Sequence, residues 1–236
     1  MSEIPALATS PMWGETPDMR QIEPEILDGL PSGHPDALAA RRDLRLINQV
    51  IGNHRWLAAR LCAHLRSGDR VVELGAGDAT MAHRVRASLP VDMPIAYHAV
   101  DLGGQPAYWP DDPRFRWHPG DLFDAPELAT ATVVIACLVL HHFDNGQLTR
   151  LGTLCRGARV ILAREPARQH AWMRFALYPL GLNKVTRHDM AISIRAGFRG
   201  GELPDALGLG RDDWRCRVYH SIFNAYAMEA VNIALV

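Results

Sequence analysis

The chain has 236 residues, with 25 lysines and arginines against 26 aspartates and glutamates, enough for one domain with its own core and a modest appendage. A balance so close to zero, without any run of five like charges, excludes the basic stripe that tracks a phosphate backbone, so nucleic acid is not expected as a partner. No stretch of apolar residues is long enough to cross a membrane and no basic-then-apolar leader opens the chain, which points to a cytoplasmic protein without membrane attachment. Cys62, Cys137, Cys155 and Cys216 stand apart with no CxxC pair, as suits a reduced compartment, and no metal site is expected.

In chain order, residues 1–38 carry six prolines and no sustained periodicity, and read as an irregular N-terminal arm. From Asp36 the pattern turns helical. Leu44, Ile47 and Ile51 share one face, Gly52 interrupts, and Leu57, Leu61 and Leu65 continue, so two helices joined at Gly52-Asn53 are expected to form a helical cover over residues 39–66. A different rhythm begins at Arg70. Short runs rich in Val, Ile and Ala (RVVEL at 70–74, AYHAVD at 96–101, FRWHPGD at 115–121, ATVVIAC at 131–137 and ARVILARE at 158–165) alternate with stretches long enough for crossovers. That alternation predicts βαβ units and a mostly parallel sheet with helices on both faces.

Asp144 reads as the N-cap of a helix from Asn145 to about Arg156. An insertion follows Glu165-Pro166 and runs to about Asp213, with helical patterns near 168–177 and 187–196. WRCRVYHSIF and AYAMEAVNIALV then read as two strands able to pair antiparallel.

The stretch RVVELGAGDAT, residues 70–80, places a glycine turn between the first strand and a helix, where a backbone without side chains lets a ligand approach closely. Gly75 and Gly77 match the dinucleotide pattern GxGxxG, but Thr80 stands at the third place. Glu73 would repel a pyrophosphate and suits a ligand with a cationic group. Asp101 ends the second strand, where a carboxylate can take two ribose hydroxyls. Asp121 and Leu122 follow the third, placed for an adenine, and the fourth strand ends in CLVLHHF at the carboxyl edge where such sheets bind ligands.

ELGAGDA, the strand-end Asp101, GDLFD and VLHHF together resemble the successive motifs of class I S-adenosylmethionine-dependent methyltransferases, over about residues 68–165. The resemblance implies a Rossmann-like, doubly wound α/β fold, with a mostly parallel seven-stranded sheet whose last strand is antiparallel. It implies one methyltransferase domain over 67–236, with a substrate-capping insertion at 166–213. It also implies that Glu73, Gly75 and Gly77 lie along the methionine part of the cofactor, that Asp101 takes the ribose, that Asp121 with Leu122 takes the adenine, and that Ala76, Leu102 and Leu138 also line the cofactor site. Ala79 stands where many members have a third glycine.

Methyl transfer from a sulfonium is an in-line displacement, for which the enzyme holds nucleophile and methyl carbon about 3 to 3.5 Å apart in a dry site. A phenol, with a pKa of about 10, needs its proton drawn away as it attacks, and a histidine titrating near about 6.5 suits that task. His141 and His142 after the fourth strand, His188 in VTRHDM, and Glu165 at the end of the fifth strand are the candidates. Asn53, Arg55 and Trp56 are expected near the substrate, and Trp172, Phe175 and Tyr178 form an aromatic stripe able to cover it.

Asp144-Asn145 invites comparison with the metal ligands of catechol-type enzymes, but the helix-cap reading is preferred. The (N/D)PP(Y/F) turn of amino methyltransferases is absent after the fourth strand. The sequence therefore predicts O-methylation of a phenol or hydroxyl of a secondary metabolite by a monomer or homodimer. C-methylation of an activated aromatic or quinone-type ring is the alternative. A cofactor-binding protein that does other chemistry or senses the cofactor is a rival of a different class, and an NAD-dependent oxidoreductase is disfavoured by Glu73 and Thr80.

Overall fold

A computed structural model describes residues 18–31, 33–169, 181–221 and 223–235. Five parallel strands, β1 (Arg70–Leu74), β2 (Ala96–Asp101), β3 (Phe115–Pro119), β4 (Val133–Cys137) and β5 (Val160–Pro166), are joined by β6 (Trp214–His220) and β7 (Ala225–Asn232) in one sheet of order β3-β2-β1-β4-β5-β7-β6. Strand β7 runs antiparallel to both β5 and β6, so the sheet is mixed only at that edge. This is the Rossmann-like, doubly wound α/β arrangement, and every strand expected from the sequence is present within a few residues of its expected bounds.

The near-continuous apolar runs of the central strands follow from burial on both faces. Val71, Val133, Ile135, Val160 and Leu162 pack on one side against Leu57 and Leu61 of α3 (Asn53–His64) and Met81 and Val85 of α4 (Thr80–Ser88). Their alternate neighbours Val72, Val134, Ala136, Ile161 and Ala163 pack on the other side against Leu148 and Leu151 of α5 (Asn145–Leu154) and against Phe198 and Leu203. Helix α5 begins as expected at Asp144, whose side chain accepts from Gln147 N at 2.8 Å while Gln147 returns the bond to Asp144 N at 3.0 Å, a reciprocal cap.

Helix α2 (Pro35–Ile51) stops at Gly52, whose φ of +76° lets the chain turn directly into α3. Within the insertion after β5 lie α6 (Lys184–Ala196) and α7 (Glu202–Ala206); the helix expected near 168–177 falls mostly outside the described residues. Among the described residues no helix is long and apolar enough to cross a membrane.

Residues 18–30 turn out to fold back over the carboxyl ends of the strands, including one helical turn, α1 (Ile26–Gly29). Several ties hold them there. Arg20 donates to Ala196 O at 2.8 Å, His141 O at 3.1 Å and Phe143 O at 3.0 Å, with its guanidinium 4.2 Å above the Phe198 ring. Asp189 of α6 accepts the backbone N–H of Ile26 at 2.9 Å and of Leu27 at 3.0 Å. Ser193 hydrogen-bonds Glu25. Helix α2 is anchored to the same α6 through buried Asp43, which accepts Asn183 N at 2.7 Å and the Thr186 hydroxyl at 3.1 Å.

Candidate active site

Between this cover and the carboxyl ends of β1, β2, β4 and β5 lies a cavity of about 610 Å³. It sits over the junction of β1 and β4, where the strand order reverses, the place at which open α/β sheets hold ligands. Its wall runs from Gly75, Ala76, Gly77, Asp101, Gly103 and Gly104 at one end, past Glu73, Cys137 and Leu138, to Glu25, Asp28, His141, His142 and Glu165 at the other.

The glycine turn is shaped by its neighbours. Gly75 has φ +64°, and a Cβ there would come within 2.8 Å of the Val139 side chain, so both the backbone conformation and the packing demand glycine. At Gly77, φ +56°, a Cβ would meet no protein atom within 4 Å, which leaves room beside the backbone for a ligand. Asp101 holds this turn to the next one: its Oδ2 accepts from Gly77 N at 2.8 Å and its Oδ1 from Gly103 N at 2.7 Å. Each carboxylate oxygen keeps lone pairs for a further donor.

Glu73 is buried under the turn, with Oε2 accepting from the Tyr97 hydroxyl at 2.7 Å. Burial pushes its carboxyl up to about 8, with the charges of Asp101 and Asp78 adding to the rise and the Tyr97 bond opposing it. Without a cation nearby, Glu73 is therefore a neutral acid at pH 7, a state its sequence position does not disclose.

The other end is organised by Glu165, fully buried at the end of β5. Its Oε1 accepts the N–H of Val139 at 3.1 Å and of Leu140 at 3.0 Å, and its Oε2 accepts the N–H of His141 at 3.3 Å and pairs with His141 Nδ1 at 2.7 Å. The turn after β4 is thus wrapped around one carboxylate. The buried His141 ring presents Nε2 to Glu25 Oε1 at 3.5 Å, a separation too long for a normal hydrogen bond. Burial alone would lower the His141 imidazole, but Glu165 and Glu25 outweigh it and push it up to about 9. The His142 ring lies 4.2 Å from that of His141, with its Nδ1 3.9 Å from Asp28.

Other expected site residues lie elsewhere, for identifiable reasons. Arg55 is exposed on α3 and Trp56 packs edge-on to Tyr219, beneath the Arg164 guanidinium; neither is on the cavity wall. Asn53 is, held by Asn48 at 2.8 Å and by Arg164 Nε at 2.9 Å, because only the first turn of α3 reaches the cavity. His188 is off the wall as well. Helix α6 turns Thr186, Asp189, Met190 and Ser193 inward, and His188 falls on the opposite face with its Nδ1 3.1 Å from its neighbour Asp189.

Leu102 is 84% exposed, with Gly103 and Gly104 forming the wall at that loop. Asp121 caps a short turn by accepting from Phe123 N at 2.9 Å and Leu122 is buried in the core, so neither contributes to the cavity wall. Trp172, Phe175 and Tyr178 lie outside the described residues. Glu25 and Asp28 were missed in the arm, and His54 beside Asn53, because nothing in their local sequence marks them.

No family model and no curated protein sequence matches this chain. Solved structures do. The plantazolicin methyltransferase BpumL, in complex with a triazolic desmethylPZN analog and SAH, aligns with TM-score 0.66 at 10% identity over 87% of this chain and 93% of that one. Human N-acetylserotonin methyltransferase in complex with SAM aligns with TM-score 0.57 at 16% identity, over 87% of this chain and 61% of that one. The pyocyanin biosynthetic protein PhzM gives TM-score 0.56 at 15% identity, over 85% and 60%. At such identities the likeness shows a shared fold, that of the class I methyltransferases.

Proposed function

We propose that this protein transfers a methyl group from S-adenosylmethionine to a small molecule, and that the acceptor atom is the oxygen of a phenol or hydroxyl. The observation that carries the reading is the single cavity joining two chemically distinct ends, a glycine turn clamped by Asp101 and a histidine and carboxylate cluster built on Glu165. Its volume of about 610 Å³ is that of a small-molecule site. Neighbours of the same fold bind SAM or SAH, as their names state.

The residues fit that donor. Open space beside Gly77 suits close backbone contact, Asp101 keeps lone pairs for ribose hydroxyls, and Glu73 can answer a cation. When bound, S-adenosylmethionine supplies an electrophilic methyl on a sulfonium. At the far end, His141, whose imidazole Glu165 and Glu25 push up to about 9, helps orient the acceptor, and His142, whose imidazole burial lowers, is the base that draws off its proton as it attacks. Glu165 acts through His141, holding its ring in place. The arm and α2 cover part of the site.

Glu73 gives a proton-linkage prediction. The cofactor's cationic groups favour the ionised carboxyl, so binding near pH 7 releases the proton that Glu73 holds in the free protein. Affinity for S-adenosylmethionine should rise with pH by up to about tenfold per unit, levelling near pH 8. Calorimetry in buffers of different ionisation enthalpy measures the released proton. Glu73→Gln should abolish it while retaining an acceptor for Tyr97. In the absence of ligand the sign is reversed. Because the folded value is raised from 4.5 to about 8, the unfolded chain gives up a proton that the folded one keeps, and stability falls across that interval as pH rises.

Incubation of the full chain with donor carrying a carbon-13 methyl, together with a pool of phenolic and hydroxylated metabolites, tests the reaction. The expected product is heavier by one labelled methyl, with the carbon shift of a methoxy group. A ring-methyl shift would move the assignment to carbon. Tight cofactor binding without transfer to any acceptor would leave a sensor or a protein of different cofactor chemistry.

A further inference from the structure

His141 stands on the cavity wall, and its Nε2 is fully buried, makes no hydrogen bond and lies 3.5 Å from Glu25 Oε1. Around it, one donor atom each from Glu25, His141 and His142 lies within 4.8 Å of the others. We propose that these three side chains bind one divalent transition-metal ion, which in turn holds the acceptor oxygen; this last role rests on the methyl-transfer reading above, whereas ion binding does not.

Three observations support the site. The 3.5 Å between His141 Nε2 and Glu25 Oε1 is poor for a hydrogen bond, yet two ligands each about 2.1 Å from a tetrahedral ion stand about 3.4 Å apart. Next, His141 Nδ1 is taken by Glu165, which fixes the ring and turns Nε2 toward Glu25, the arrangement by which an outer carboxylate orients a metal-bound imidazole. Glu165 is itself held by three backbone N–H groups, so the outer shell is rigid. Finally, the third ligand is delivered by a separate element. Glu25 comes from the arm, docked by Asp189 on Ile26 and Leu27 and by Ser193 on Glu25 itself.

Two imidazoles and one carboxylate suit zinc, cobalt or iron(II) better than magnesium or calcium, which prefer all-oxygen sets. Three protein ligands would leave a fourth position, and because all three residues line the cavity an acceptor hydroxyl there could take it. A bound ion lowers the pKa of a coordinated oxygen by many units, so a phenol would bind as phenolate, its proton passing to solvent, and would take the methyl group as the sulfonium leaves as a neutral thioether. A second histidine and carboxylate group, His98, His118 and Glu127, does not compare. Its members are bonded to one another at 2.8 and 3.0 Å, and none faces the cavity.

The test uses the full chain, stripped with chelator and titrated with cobalt(II), followed by visible absorption and by equilibrium dialysis against zinc(II). The expected result is one ion per chain with tetrahedral cobalt bands. Affinity should fall at least tenfold in His142→Ala and in Glu25→Gln, with both variants as heat-resistant as the parent, and stay unchanged in His188→Ala and His118→Ala. Failure of the parent to bind one ion, or undiminished binding in both cluster variants, overturns the site. It would mean that Glu165 and Glu25 simply flank a protonated His141. Methyl transfer that continues undiminished in the stripped protein overturns the ion's role and leaves the transferase reading standing; an ion bound by a protein that transfers no methyl group upholds the site and removes that reading.

Discussion

Asp101→Ala is expected to weaken S-adenosylmethionine binding by at least about a hundredfold while leaving the chain folded. The residue is proposed to do two things at once. It clamps the two turns that bound the cofactor end, through Gly77 N at 2.8 Å and Gly103 N at 2.7 Å, and it offers its remaining lone pairs to ribose hydroxyls. Hydrogen bonds to a charged group contribute about 1.5 to 3 kcal/mol each, and about 1.4 kcal/mol is a factor of ten, so losing two ribose contacts accounts for the expected change. Losing the clamp adds the cost of ordering two loops when ligand arrives. Asp101→Asn separates the contributions, since an amide oxygen can still accept from one glycine N–H but the amide nitrogen cannot accept at all; it should fall between the parent and the alanine variant. Titration calorimetry with S-adenosylmethionine and with S-adenosylhomocysteine measures both. Equal losses for the two ligands locate the effect in the shared ribose, whereas an alanine variant binding within about threefold of the parent, well short of one such bond, would remove Asp101 from the cofactor site.

How far a residue's place was legible in the sequence depended on how local its cause is. The strands were legible because alternate residues such as Val71 and Val72 enter opposite core layers, which forces apolar runs. The helix break at Gly52 and the cap at Asp144 are properties of a few consecutive residues, and both appear where the sequence places them. The cavity's acceptor end is another matter. Glu25 lies in a proline-rich stretch without periodicity, more than a hundred residues from His141, and reaches it only through contacts with α6 that no local pattern encodes.

Helix phase explains other differences. One residue's rotation separates His188 from Asp189, and the distance from the start of α3 separates Asn53 from Trp56. The protonated state of Glu73 comes from its burial under the glycine turn, with Asp101 and Asp78 nearby, and prevails against the Tyr97 bond that the pairing of β1 with β2 supplies. Glu165 was visible as a strand-end carboxylate and so as a candidate for chemistry. Which groups it holds became apparent only once β5 was laid beside β4.

Those contacts make Glu165→Ala the substitution with the largest expected effect on stability. The carboxylate accepts three consecutive backbone N–H groups and the His141 ring at distances of 2.7 to 3.3 Å, in a place with no exposure to solvent. Alanine would leave all four donors without a partner and open a void. Removing one partner from a buried charged network is destabilising by about 3 to 5 kcal/mol. For a chain of this length, at about 2 to 4 °C per kcal/mol, the melting temperature should drop by about 10 °C.

Glu165→Gln tests whether the role is positional. Its amide oxygen can serve Val139 and Leu140 much as Oε1 does, but its amide nitrogen confronts the N–H of His141 and cannot accept from Nδ1. The glutamine variant should therefore regain much of the lost stability while the His141 ring is released. In that variant S-adenosylhomocysteine should bind as in the parent, since the Asp101 end is untouched, and turnover should fall through kcat with little change in the KM for the cofactor. A glutamine variant with parental kcat would show that the orientation of His141 does not matter to the reaction. If the alanine variant melted with the parent, the carboxylate would not be what holds the turn after β4.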